Sequence, residues 1–431
     1  MKTSSSSPTE LWRQVPPDHL PTRPSLWRDW HFGCRLLLLW GLAAAIAVQP
    51  ETARTQGTPE IVWFTNAHAG LVRSVAFSGD GLHLASGSED NYAKVWALTN
   101  RAVVAQVATP AQVLSVDLPP TASFFVTGGD DGAARRWALP SGERVWGGSG
   151  GDSIAWTIAL SATGDVVAVG GGSPSFIIVA NSDATGGRHF DAHRSDVVSV
   201  AFSANGTALA SASWDGTAII WRMSDGTVLH ALTGHSVVGS DGDFEVRNPV
   251  YSVDFSPDGV LLATSGADGT AQLWRVSDGQ RVRILEGGGI TFRASPGSVA
   301  KFSADGRTLY TLGDGIIKFW RVADGRLLAT FENTGATCLA VGPDGKHFAY
   351  GTSAGALALA RVPLWIDQVE HAANQLIVRW QGGSGRYRIQ RRNSLTRGAW
   401  HNFGPPTTAT SLTNKITRKP VFYRVQSLPN P

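Results

Sequence analysis

Residues His193 to Gly226 read HRSDVVSVAFSANGTALASASWDGTAIIWRMSDG. Three short runs in this stretch have β-strand character: Val197–Phe202, Ala208–Ser211 and Thr217–Arg222. Each is bounded by turn chemistry, at Asn205-Gly206, Asp215-Gly216 and Asp225-Gly226. Such dipeptides tolerate the positive φ of tight hairpins, so the stretch predicts a small antiparallel meander. One such sheet cannot bury both of its faces. It needs neighbours of its own kind.

The neighbours are in the chain. VAFSGDG at Val75–Gly81 recurs as VAFSANG at Val200–Gly206, VDFSPDG at Val253–Gly259 and AKFSADG at Ala300–Gly306, with a weaker copy, AVGPDG, at Ala340–Gly345. Downstream of the repeats stand Trp96, Trp137, Val179, Trp221, Trp274, Trp320 and Ala360. Most steps in that series fall in the roughly 40–45-residue range of four-stranded propeller blades.

The pattern resembles the WD-repeat β-propeller family. That resemblance implies a His before the first strand, a Ser or Thr in the second, an Asp in the following turn and a Trp in the third. The sets are His68, Ser86, Asp90, Trp96 in the first blade, His193, Ser211, Asp215, Trp221 in the fourth and His235, Thr264, Asp268, Trp274 in the fifth. The second blade keeps Thr127, Asp131 and Trp137 but has Thr109 in the His position; the sixth keeps Thr311, Asp314 and Trp320 without the His. The third and seventh are degenerate, with Ser173/Val179 and Ala354/Ala360 at the Asp and Trp positions. The expected fold is all-β: a seven-bladed propeller of four-stranded antiparallel blades over residues 60–362, then a small β-sandwich. The resemblance also implies that Ile61–Phe64 completes the seventh blade, which removes two free sheet edges.

Composition agrees with a turn-dense β protein, because 49 glycines and 16 tryptophans accompany only 16% charged residues. Two cysteines are too few for a disulfide framework, and Cys338 in the apolar run 336–341 reads as a buried small residue. Residues 1–47 read as an export leader: Arg28 and Arg35 precede the apolar run Leu36–Val48, with Ala45-Ile46-Ala47 as an A-x-A-type cleavage site. The run is shorter than the ~17 residues needed to cross a bilayer. The expected locale is periplasmic or extracellular, and an uncleaved signal anchor is the alternative and the one route to a membrane. Residues 48–59 read as a linker.

Charge is uneven along the chain. Residues 48–363 hold 22 basic against 29 acidic side chains, whereas residues 364–431 hold ten against two. In that tail, Gln375–Trp380, Tyr387–Arg392, Trp400–Phe403, Ser411–Ile416 and Val421–Val425 read as strands, with Trp380, Ile389 and Phe422 as core. Residues 363–431 are similar to the small fibronectin type III-like modules found at the ends of secreted bacterial proteins. That resemblance implies a spacer or adhesion element.

Ser, His and Asp recur in each well-formed blade, and these are the residue types of a hydrolase triad. Catalysis needs one exposed nucleophile, whereas a device that defines a fold recurs. The family resemblance implies a buried network of Asp, His, Ser/Thr and the Trp indole. No catalytic residue is assigned and no enzyme is expected. No calcium-loop, metal-cluster or phosphate-loop pattern occurs in the sequence, so no metal and no cofactor are expected.

The resemblance places binding on the face that carries the turn Asp and the His-bearing loops. Two loops there are enlarged, Ser236–Pro249 and Glu286–Gly297, and Asp243, Phe244, Glu245, Phe292 and Arg293 are candidate contacts. Residues just before the turn Asp project to the same face: Glu89, Asp130, Trp214, Ala267 and Gly313. Trp214 stands out, because an exposed tryptophan is typical of binding hot spots; its competing role is packing against a neighbouring blade. The function expected is an exported, bacterial-type, non-catalytic scaffold, monomeric, that binds a protein or peptide and no nucleic acid. The alternatives are a secreted propeller for small ligands or carbohydrate, with or without catalysis, and a cell-surface adhesion module.

Overall fold

A computed structural model describes residues 46–48, 59–147, 153–172, 175–238, 245–286, 299–332, 334–372, 375–381, 387–392, 401–409, 411–415 and 422–427. The strands of the opening stretch form as Val197–Phe202, Ala208–Ser213 and Ala218–Arg222, joined by Val228–Leu232 into a four-stranded antiparallel blade. The second strand runs two residues past its expected end, because Ser213 N–H donates to Thr217 C=O and closes the hairpin over Asp215-Gly216. Gly216 sits at φ 84°, a value that costs glycine nothing; Asn91 takes the same role in the first blade at φ 68°.

Seven such sheets form a propeller. Their innermost strands are Val72–Phe77, Val113–Asp117, Ile154–Leu160, Val197–Phe202, Val250–Phe255, Val299–Phe302 and Ala336–Val341. Each lies against the next, and the seventh lies against the first. The ring closes as the family resemblance implies. Glu60–Asn66 pairs antiparallel with Ala356–Arg361 as the outer strand of blade seven, and Trp63 meets Trp96 of blade one edge-on at 5.3 Å.

A second repeated device ties the blades together. In five inner strands a hydroxyl stands one residue ahead of the inward Val or Ile. It accepts a backbone N–H from the next blade: Ser74 from Val116, Ser115 from Ile158, Thr157 from Val200, Ser199 from Val253 and Ser252 from Ala300, all at 3.1–3.3 Å. Blade seven reverses the polarity, since Thr337 donates to Val72 C=O at 2.6 Å. Each bond contributes about 1 kcal/mol and fixes the angular step between blades.

The degenerate blades are repacked. Where Ala360 replaces tryptophan, Tyr310, Phe319, Phe348 and Tyr350 gather in the core between blades six and seven, with Phe319 and Phe348 edge-on at 5.6 Å. Where Val179 replaces it in blade three, Phe190 fills the gap against Trp221 at 5.5 Å. Cys338 is free and buried, and burial pushes its thiol up to about 12.

The C-terminal residues form two sheets. One holds Trp365–Ala372, Gln375–Gln381 and Ser411–Lys415; the other holds Tyr387–Arg392, His401–Asn402, Phe422–Ser427 and Ile46–Val48. Trp365–Ala372 is a strand that the sequence reading left out. Ile46–Val48, at the end of the expected leader, runs parallel to Tyr423–Val425. Trp380 and Leu412 from one sheet pack with Tyr387, Ile389 and Val425 from the other. The Phe422 side chain, the other expected core residue, lies outside the described residues.

Candidate functional site

The recurring polar sets come together blade by blade. In the first, His68 Nδ1 is 3.0 Å from Asp90 Oδ2 and Nε2 is 2.8 Å from Ser86 Oγ, to which the Trp96 indole N–H donates at 3.3 Å. A carboxylate only accepts, so Nδ1 carries the proton; burial lowers the His68 pKa, which keeps the ring neutral and leaves Nε2 to accept from Ser86. The bonds therefore run Trp96 to Ser86 to His68 to Asp90. The same order recurs through Trp221, Ser211, His193 and Asp215, and through Trp274, Thr264, His235 and Asp268, at 2.7–3.0 Å.

Burial works against ionisation of Asp215. Hydrogen bonds from His193, Thr217 and the Arg194 N–H outweigh it and hold the carboxyl well below its ordinary value. Every serine or threonine in these sets is fully buried and spends its hydroxyl inside the set. A substrate has no path to it. The arrangement satisfies polar groups in a core.

Blade two departs from the pattern. Thr109 does not reach the turn acid; its hydroxyl donates to Asn91 C=O at 2.9 Å. Arg135, four residues after Asp131 and 7% exposed, forms a two-nitrogen ion pair with that acid instead, while Trp137 donates to Thr127 at 3.0 Å. Sequence reasoning missed Arg135, although an arginine just ahead of the blade tryptophan was the available signal. In blade six Trp320 donates to Thr311 at 2.8 Å, and Asp314 occupies the turn at φ 50°.

The partner-facing candidates divide into two groups. Asp243 and Phe244, and Phe292 and Arg293, lie outside the described residues. Glu245 begins a short strand, Glu245–Arg247, that pairs with Ser236–Val238, so part of the first enlarged loop is a β-ribbon. Glu89 forms an ion pair with Arg73. Asp130 is exposed, and among the described residues its carboxylate has no partner. Trp214 packs on Trp156 of blade three, ring centroids 5.3 Å apart, and remains 38% exposed.

A structural regularity gathers further residues at the rim. Six inner strands slip register by one residue near their starts, between Val72 and Ser74, Val113 and Ser115, Ala155 and Thr157, Val197 and Ser199, Val250 and Ser252, and Ala336 and Cys338. A bulge re-aims the extra residue. Five of these residues, Arg73, Leu114, Trp156, Val198 and Tyr251, line an axial cavity of about 580 Å³. The rim is thus mainly apolar and aromatic, with Arg73 already paired.

Deeper in the cavity, Lys301 pairs with Asp254 at 3.1 Å. Asp117 accepts the Leu160 N–H at 2.8 Å, but burial pushes its carboxyl up to about 6. Between about pH 4 and pH 6 the folded chain holds a proton that the unfolded chain has released, so this group's contribution to stability falls as pH rises. The shift corresponds to roughly 3 kcal/mol across that window. Urea unfolding from pH 4 to 6.5 is expected to show wild type losing stability relative to Asp117→Asn; parallel curves would place the carboxyl in contact with water. Among the described residues, no group of three His, Cys, Asp or Glu could hold a metal ion, and no helix is long and apolar enough to cross a membrane.

The family described as "WD domain, G-beta repeat" matches residues 59–97, 105–138, 187–222 and 226–275, in the first, second, fourth and fifth blades. The chain is similar to "Apoptotic protease-activating factor 1" of Rattus norvegicus, 27% identical over 50% of this chain and 13% of that protein. It is similar also to "WD repeat-containing protein 26 homolog" of Arabidopsis thaliana, 38% identical over 23% of the chain and 16% of the relative. A third relative is "WD repeat-containing protein SL1-17" of Schistosoma mansoni, 28% identical over 46% of this chain and 64% of the other. The matched part thus covers less than two thirds of each relative.

Proposed function

Because the propeller is built on WD repeats, we propose that this chain is a non-catalytic scaffold that docks a protein or peptide on the rim of its channel. One observation carries the reading. The Ser or Thr, His and Asp of blades one, four and five are used up in buried networks, while the bulged strands present Trp156, Tyr251 and Val198 beside exposed Trp214 and Asp130. Aromatic groups of this kind, ringed by polar ones, suit protein recognition. The leader, with Arg28 and Arg35 ahead of Leu36–Val48, supports an exported form, and the C-terminal sheets support a fibronectin III-like spacer.

Photo-crosslinking tests the docking face. A benzophenone side chain is placed at Trp214 or Asp130 on the rim and at Val145 or Val228 on exposed outer strands. In the native extract, one discrete adduct is expected from the rim positions and none from the outer ones. An adduct confined to the outer strands would move the site away from the rim.

A further inference from the structure

Trp156 and Trp214 come from different blades, 58 positions apart in sequence, and their rings are tilted by 52°. Asp196 holds both. Its Oδ2 accepts the Trp156 indole N–H at 2.9 Å, and its backbone carbonyl accepts the Trp214 backbone N–H at 3.1 Å. Gly172 makes room for the acid, because a Cβ there would stand 2.0 Å from the Asp196 carboxyl carbon. The result is a corner with two indoles and one carboxylate locked in place. It lies at the cavity rim, and one of its tryptophans is 38% exposed.

The charge of this corner is unbalanced. Among the described residues no lysine or arginine forms an ion pair with Asp196; Arg73 is paired with Glu89, and Arg135 with Asp131. Exposed Asp130 adds a second carboxylate on the same rim, and the surrounding segment 48–363 carries 29 acids against 22 bases. An indole face attracts a cation through its quadrupole, and a carboxylate at the edge of the neighbouring ring gives that cation a counter-charge. An anionic or purely apolar partner would leave Asp196 opposed or desolvated without return.

We propose that Trp156, Trp214 and Asp196 form the recognition point for one lysine or arginine side chain of a partner polypeptide, its cation resting on Trp214 and pairing with Asp196. This rests on the reading of the rim as the docking face and names the chemistry of the partner there.

The test uses the full chain with nitrogen-15-labelled tryptophan, whose indole signals are assigned through Trp156→Phe and Trp214→Phe. The probes are N-acetyl-arginine amide and N-acetyl-lysine amide, with N-acetyl-glutamine amide as the neutral control. Both cationic probes are expected to shift the Trp156 and Trp214 signals saturably, weakening with added salt, and the glutamine probe to leave them in place. Asp196→Asn and Trp214→Ala should each weaken binding about three- to tenfold. Trp214→Phe should retain part of it, with thermal midpoints unchanged.

Equal shifts with the glutamine probe, or none with either cation, would overturn the proposal. If the cations fail while rim crosslinks persist, only the chemistry of recognition falls. If the crosslinks map to the outer strands, the docking face itself falls, whatever the probes do.

Discussion

Trp221→Ala is expected to lower the free energy of unfolding by about 3–5 kcal/mol in urea titrations. The side chain is 1% exposed and packs with Val197, Val200 and Leu209 of its own blade and with Ala168, Val179 and Phe190 of blade three. Truncation therefore leaves a cavity that spans two blades, which neither can close alone. The indole also donates to Ser211 at 2.8 Å, and losing that bond adds about 1 kcal/mol. Trp221→Phe keeps most of the volume, so it should cost about half as much or less. A loss below about 1 kcal/mol for the alanine variant would show that the interface between blades three and four is held by something else.

Opening the ring should cost more than any single core substitution. A chain beginning at Ala67 is compared with one beginning at Pro59, since both lack Ile46–Val48; only the former lacks Glu60–Asn66, which leaves Ala356–Arg361 with a bare edge and removes the Trp63–Trp96 contact and the Arg361–Glu60 ion pair at 2.6 Å. Unpaired edges recruit other strands. Light scattering is expected to show self-association of the shortened chain, and unfolding is expected to lose its single transition. A synthetic peptide covering residues 59–67 should restore both by re-forming the strand. A monomeric shortened chain with an unchanged midpoint would mean that closure contributes little.

How much the sequence disclosed depended on whether a feature is local. The hairpins, the turn acids and the tryptophans repeat, so five blades could be read from their motifs and two more from spacing, while ring closure followed from the family resemblance. The Ser/Thr clamps also repeat, one residue ahead of Val75, Val116, Ile158, Val200 and Val253, but their partners lie in the next blade. A pattern sought within single blades does not reveal them.

Repacking around Ala360 was illegible for a related reason. The volume left by a missing tryptophan can be filled from any neighbouring strand, and here Tyr310 and Phe319 come from the preceding blade. The pairing of Trp156 with Trp214 is likewise set by the blade-to-blade angle and the bulge at Trp156. Trp214 could be singled out as an exposed tryptophan. Its partner Trp156 and the carboxylate at that partner's edge could not.

Backbone hydrogen exchange on the full chain, alone and bound to its crosslinked partner, tests the central claim most directly. Alone, the inner strands and the amides bonded to Ser74, Ser115, Thr157, Ser199 and Ser252 should exchange only through global opening. With partner bound, new protection is expected at the rim, around Arg73, Asp130, Trp156, Asp196 and Trp214, with the outer strands unaltered. Protection gained along the outer strands, with the rim unaltered, would contradict the account.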